Sequence, residues 1–351
     1  MLEKIKKVFS DIGLTKLIIF AFILFMFILA PISGNSITEL LSNIISRFSW
    51  NAVLVLSLVP MVHSGCGLNF GLPLGIVAGL LGATLAIEFG FVGISCFLIA
   101  ILIATPVAIL FGLVYGLLLN KIKGGEMMIA TYVGFSIVSL FCIAWVALPY
   151  KSPKMVYLFS GTGLRSMISI KDNYYEVISS FLRFSIGGIT IPTGSLLLFA
   201  ALAFGVYSFL HTKTGTAMTA VGSNPKYARA AGVNVDRTRT LSVIISSWLA
   251  AIGIIIYQEG FGYVQVYNAP FSMTMPAVAA ILLGGASVNK ASISNVIIGT
   301  FMFQAITTTT PAVINSLIAL DISDVIRTVV SNGVILFALT RKMEGPKKWK
   351  K

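Results

Sequence analysis

Long apolar runs recur from Leu14 to Leu339, separated by polar stretches that hold nearly all of the charge. A helix needs about 20 such residues to cross a hydrocarbon core. The pattern predicts spans at roughly 14–33, 51–65, 68–88, 92–118, 127–148, 189–210, 241–259, 271–287, 291–309 and 324–340. Ten crossings return the chain to the side on which it began. The expected fold class is therefore an all-α polytopic membrane protein, one transmembrane domain over 1–351 with both termini on one side. Two placements stay open. The stretch 51–88 is interrupted by Ser64-Gly65-Cys66-Gly67 without a charge, and 271–309 by Gly284-Gly285 and then Asn289-Lys290. Each is two short crossings or a broken helix, and parity survives only if both are read alike.

Composition sharpens this picture. Of 351 residues, 57% are hydrophobic and 11% charged, against about 25% charged in soluble domains. A soluble enzyme is excluded. A mean hydropathy of +0.94 with unbroken apolar runs also excludes a transmembrane β-barrel, whose strands alternate over about 10 residues. The net charge of +13 suggests nucleic acid until it is placed. On the termini side fall 18 of the 25 basic residues, among them Lys4, Lys121, Lys213, Lys226, Arg229, Arg237, Arg239 and Lys351, with five of the 12 acids. The other side carries seven of each. The whole excess lies on the termini side, which the positive-inside rule makes cytoplasmic. The charge is a topology signal and implies no nucleic acid. The first apolar run is not followed by a small-residue cleavage site and reads as a retained span.

The polar residues define what the chain lacks. There is no G-x-x-x-x-G-K-[ST] and no Gly-Lys pair, so no phosphate cradle is encoded. Cys66, Cys96 and Cys142 lie in apolar segments without metal or disulfide spacing, and His63 and His211 are the two histidines. No catalytic cluster, metal site or bound cofactor is expected. An ion-driven carrier would place ionisable groups inside spans, whereas Glu88, Glu126, Glu259, Asp321 and Asp324 fall near span ends. Glu126 alone is placed to tuck into the membrane, the alternative being an interfacial carboxylate near Lys121 and Lys123. A carrier with neither engine reads as a subunit that borrows one, and an ion-driven secondary transporter is the alternative class.

The loop from His211 to Thr240 offers a place for an engine to attach. Asn224 suits an N-cap, Pro225 the first helical position and Gly232 a left-handed C′ position. A helix of about two turns is marginal alone in water. Either the chain's own cytoplasmic ends hold it, or a socket on another protein does. The external loop 148–188 is long and aromatic, with Tyr150, Tyr157, Tyr174 and Tyr175, and a surface helix is expected over 172–183. It reads as a rim for a docking protein or as a solvated connection.

The stretch Thr214 to Val233 resembles the cytoplasmic signature of ABC-importer permeases of the ribose/simple-sugar and branched-chain amino-acid type, T-x-x-G…A-V-G-x-N-x-x-A-A-R-x-x-G-[IV], with Tyr227 where the family usually has Ala. Ser64 to Gly75 resembles the family's T-G-G-I-D-L-S-V-G segment, with Asn69 for the usual Asp. Ala280 to Ser287 resembles A-x-x-L-G-G-x-S, after which Val288 to Ser292 departs from the usual G-x-G-S. The resemblance spans most of 50–340. It implies that Gly222, Asn224, Pro225, Ala228, Arg229 and Gly232 form a coupling helix on a partner ATPase, which binds the ATP. It implies a second permease, identical or homologous, an extracytoplasmic substrate-binding protein and residence among the lipids of a bacterial cytoplasmic membrane. His63, Ser64, Gly65, Gly67, Asn69 and Glu126 are the candidate pathway residues, since irregular backbone at membrane depth is tolerated where it lines a cavity. Close packing through small residues is the competing reading. The implied solute is a simple sugar. A nucleoside is the alternative, because Gly125 to Thr131 resembles the N-E-V-I-x-T stretch of nucleoside-type members. Branched-chain amino acids come third.

Overall fold

Nearly every apolar run becomes a helix. A computed structural model describes residues 14–122, 124–157, 163–287, 290–318 and 322–343. Lys4, Lys123, Asn289, Asp321 and the basic tail from Lys347 lie outside the described residues. In chain order the helices are α1 (Leu14–Ile32), α2 (Ile37–Leu56), α3 (Leu58–His63), α4 (Leu72–Glu88), α5 (Gly93–Lys121), α6 (Glu126–Ala147), α7 (Thr193–Leu210), α8 (Lys213–Ser223), α9 (Pro225–Ala230), α10 (Val235–Phe261), α11 (Ala269–Leu283), α12 (Ile293–Ile318) and α13 (Ser323–Met343). Among the described residues, six stretches are long and apolar enough to cross a membrane: Ile37–His63, Gly93–Lys121, Glu126–Ala147, Thr193–Leu210, Val235–Phe261 and Ile293–Ser316. Ile19–Ile32, α4 and α11 are shorter apolar helices.

The span expected at 51–65 begins at Ile37 instead. Glu39, Asn43 and Arg47 interrupt the apolar run, yet Leu40, Ile44 and Ala52 to Leu56 are buried, so one face of the helix still enters the core. Pro60 has no N–H to donate back to Leu56. The rod breaks there, and the Ser57 hydroxyl takes up the Leu54 carbonyl at 2.6 Å. Both ambiguous stretches resolve the same way, as two helices, with irregular chain at 64–71 in the first and, among the described residues, at 284–287 and 290–292 in the second.

α10 is the axis of the bundle. In its most apolar window 72% of residues are buried, against 17% in α6, which lies on the outer face. α4 presses onto α10 through Gly75 and Gly79, where an added Cβ would run into the Ser247 carbonyl and the Ile254 side chain. Small residues permit this backbone approach, and dispersion across it replaces a hydrophobic force that lipid cannot supply.

Hydrogen bonds identify the two ends. At one, Glu88 Oε1 and Oε2 accept from the Lys151 and Ser152 amides at 2.9 and 3.1 Å, and Asn35 Nδ2 donates to the Ala312 carbonyl at 3.3 Å. At the other, Asn120 Nδ2 donates to the Asp236 carbonyl at 2.8 Å beside α8 and α9.

Helices do not account for everything. β1 (Ile168–Ser169) pairs antiparallel with β4 (Tyr263–Val264). β2 (Phe184–Ile186) pairs with β3 (Ile189–Ile191) around Gly187-Gly188, both at positive φ, as a two-residue type I′ hairpin demands. The all-α expectation is corrected to this extent. The surface helix expected over 172–183 does not form. Residues 171–182 are successive turns, with Glu176 and Leu182 at φ 51° and 53°. Glu259 of α10 captures the amides of Ile178 and Ser179, both at 2.9 Å, which a helix would have used internally.

Candidate functional site

The loop 211–240 folds into two helices where one was expected. α8 is capped by Thr212, whose hydroxyl accepts from the Gly215 amide at 3.3 Å. α9 follows at once, because Asn224 Oδ1 accepts from the Lys226 and Tyr227 amides at 3.1 Å each and Pro225 stands at the first helical position. Gly232, at φ 82°, ends it in the left-handed conformation that a side chain would resist. Ala228 is buried against Val221 and Val235, so the chain's own core holds one face of α9. The other face is bare: Lys226, Tyr227 and Arg229 are exposed, Tyr227 by 70%.

α8 rests on the irregular segment between α3 and α4. A Cβ on Gly222 would collide with the His63 carbonyl, and Gly65 makes the turn opposite it at φ 74°. His63 Nδ1 lies 3.3 Å from Thr219 Oγ1, and its Nε2 donates to the Ala291 carbonyl at 2.7 Å. The segment then climbs along α10. Ser64 Oγ accepts from Ser242 Oγ at 2.6 Å, Gly67 turns at φ 79°, and Asn69 Nδ2 donates to Ser246 Oγ at 2.9 Å. Asn69 and Ser64 are buried, and their polar atoms are spent on neighbouring protein. This is irregular backbone buried within protein, one of the two situations in which a membrane tolerates it.

Glu126 begins α6 and pairs with Arg239 of α10. Arg239 Nη2 lies 2.7 Å from Glu126 Oε1, while its Nε reaches Cys66 Sγ at 3.2 Å. Glu126 Oε2 accepts from the Gly124 amide at 3.0 Å. Arg239 is 7% exposed. A charge so removed from water depends on its partner, because an unpaired buried ion costs several kcal/mol. Sequence reasoning counted Arg239 as one more basic loop residue. The available signal was its position four residues after Val235 and four before Val243, both on the buried face of α10.

Some residues of the two sets singled out from the sequence share one cleft with others that were not. Ser64, Gly65 and Glu126 line the same cleft of about 320 Å³ as Pro225, Lys226, Arg229 and Arg239. His63 adjoins it through α8, Asn69 stands deeper beside Ser246, and Asn224 caps the helix that forms its wall. Gly284 belongs to the packing of α11 on α12, where Asn295 Nδ2 donates to its carbonyl at 2.7 Å. The cleft joins an exposed basic helix, a buried ion pair and an irregular strap on the central helix, an arrangement suited to passing a displacement from α9 into α6 and α10.

The sequence profile of the family described as branched-chain amino acid transport system, permease component, matches residues 40–339. The nucleoside ABC transporter permease protein NupB of Lactococcus lactis subsp. cremoris (strain MG1363) is 26% identical over 53% of this chain and 52% of its own length. The autoinducer 2 import system permease protein LsrC of Enterobacter sp. (strain 638) is 38% identical over 27% of each chain. The fructose import permease protein FruG of Bifidobacterium longum (strain NCC 2705) is 26% identical over 74% of this chain and 73% of its own. The chain spans about half or less of the first of these relatives' lengths. A solved structure described as an inward-facing conformation of a putative metal-chelate type ABC transporter aligns with a TM-score of 0.45 at 14% identity, over 92% of this chain and 99% of that one.

Proposed function

This chain belongs to the family of branched-chain amino acid transport system permease components, and from that membership we propose that it is the membrane-spanning subunit of an ATP-driven importer in a bacterial cytoplasmic membrane. Ten helices cross the bilayer with both termini cytoplasmic, α8 and α9 on that side and the 148–188 segment outside. Two such chains, identical or homologous, enclose the path, a partner ATPase on the cytoplasmic side binds and hydrolyses ATP, and an extracytoplasmic binding protein delivers solute. The chain itself performs no covalent chemistry and holds no cofactor; lipid surrounds it.

The observation that carries this reading is α9. Its core face is seated on Val221 and Val235, while Lys226, Tyr227 and Arg229 project from the other face, their side chains without a hydrogen-bond or ion-pair partner among the described residues. When the ATPases close on ATP, α9 moves with them, and the cleft below hands the movement to α6 through Glu126 and to α10 through Arg239. The solute is a simple sugar or a nucleoside. FruG supports the first reading, and NupB together with the sequence from Gly125 to Thr131 supports the second.

Reversing one exposed charge on α9 tests the coupling. Arg229→Glu is expected to leave the chain inserted and the binding protein loaded, yet to lower ATP-dependent uptake by roughly tenfold or more, as truncations at the centre of an interface do. Uptake at the wild-type rate would remove α9 from the mechanism.

A further inference from the structure

A second cleft lies half-way along the bundle. It holds about 250 Å³ where the start of α4, the first turns of α6 and the start of α11 meet. Its depth follows from the irregular segment 64–71: Asn69 is bonded to Ser246, near the middle of α10, and Phe70 comes next. The walls are Phe70, Pro73, Phe135 and Phe271, with the two threonines Thr131 and Thr274 among the lining side chains. Gly134 lets α6 approach Phe70 and Pro73, since a Cβ there would stand 3.1 Å from the Phe70 carbonyl. Phe135 and Phe271 face each other at 5.0 Å with their planes tilted by 38°.

Ser136 and Ser139 of α6 and Ser272 of α11 are exposed on the helices that form it, among exposed apolar side chains such as Tyr132, Leu140 and Ile143. α6 is also the least buried of the six long apolar stretches.

The lining chemistry selects the ligand. No lining residue is charged, which disfavours a zwitterion or a phosphate. Both hydroxyls already donate, Thr131 Oγ1 to the Met127 carbonyl at 2.9 Å and Thr274 Oγ1 to the Pro270 carbonyl at 2.7 Å. They offer acceptor lone pairs alone. A simple sugar presents hydroxyls in every direction, and most would be left unpaired against phenyl rings, each at a cost. A planar heterocycle presents two apolar faces to stack on those rings and a few N–H groups at its edge.

We propose that the cleft framed by Phe70, Phe135 and Phe271 is a contact site on the solute's path and that it takes the base of a nucleoside. The proposal rests on the importer reading and selects the nucleoside within it.

The test uses the assembled importer in its own membranes, with Thr131→Cys in a Cys142→Ser background. A charged, water-soluble thiol reagent is expected to label Cys at position 131 during turnover, and adenosine or uridine, but not ribose, to protect it. Phe135→Ala and Phe271→Ala are expected to slow nucleoside uptake roughly tenfold each, the scale of losing one base-to-ring stack, while Phe135→Trp retains it. The partner ATPase is recovered normally with every variant. Protection by ribose instead of nucleoside overturns the ligand class. Labelling by a lipophilic reagent alone places the cleft against lipid and overturns the site, as does unchanged uptake in both alanine variants. Failure to recover any ATPase with the unsubstituted chain would instead defeat the importer reading, so the two failures are distinguishable.

Discussion

Glu259 of α10 and Glu126 of α6 lie near opposite ends of α10, and they are held in opposite ways. Glu259 is buried and accepts from two backbone amides, Ile178 and Ser179, and from the Ser179 hydroxyl at 2.7 Å. Its partners are neutral and close to one another in sequence, two of them backbone amides. Glu126 is held by a guanidinium on a different helix, 113 residues away. The first arrangement is a clasp: it shapes a connection and has one geometry. The second joins two helices through one charge-assisted contact between side chains. In the proposed transport cycle the first would hold a connection in place and the second would join two helices that move.

The largest effect is expected at the clasp. Glu259→Ala would leave the part-buried Ile178 amide and the buried Ser179 amide without their acceptor, at about 1–3 kcal/mol for the buried one. The melting temperature of the purified protein should fall, and limited proteolysis should open the segment 171–183 first. Retained stability and an unchanged cleavage pattern would show that the clasp shapes nothing.

A smaller change in stability but a sharper change in function is expected at the joint. Glu126→Gln keeps an acceptor oxygen for Arg239 and loses the charge. Uptake per ATP hydrolysed should fall several-fold, with a melting shift below that of Glu259→Ala. A charge-reversed pair, Glu126→Arg with Arg239→Glu, should recover part of the loss. Equal effects of Glu126→Gln on ATP hydrolysis and uptake, with no recovery in the reversed pair, would make the contact a second clasp.

The smallest effect is expected at the cap of α9. Asn224→Ala removes the acceptor for the Lys226 and Tyr227 amides, at about 1 kcal/mol. Because Ala228 remains seated, the helix should persist, and uptake should drop by less than in Arg229→Glu. A loss as large as that of Arg229→Glu would mean that the fold of α9, more than its exposed charge, carries the coupling.

These regions differ in how far the sequence revealed them. α9 was legible to the residue, because Asn224, Pro225 and Gly232 act locally and their signals lie within one short stretch. The long apolar helices were legible for the same reason. The start of α2 was hidden by Glu39, Asn43 and Arg47, which lie in a helix whose other face is buried. The 172–183 segment carried a helical pattern that Glu259, distant in sequence, overrode by taking its amides. The hairpin around Gly187-Gly188 had a local signal in its paired glycines that passed unread. The Glu126–Arg239 pair had none of comparable strength, since neither residue marks the other. Long-range electrostatics decided what local pattern could not, and it did so at the candidate site.

The central claim is that α9 is the seat of a partner ATPase, and recovery of that partner tests it most directly. The tagged chain is extracted from its own membranes in mild detergent, beside Arg229→Glu, and everything retained is identified by mass spectrometry. The account predicts a Walker-motif ATPase near one-to-one with the unsubstituted chain and much less with Arg229→Glu. Recovery of the chain alone, still moving solute in liposomes without ATP, would contradict it.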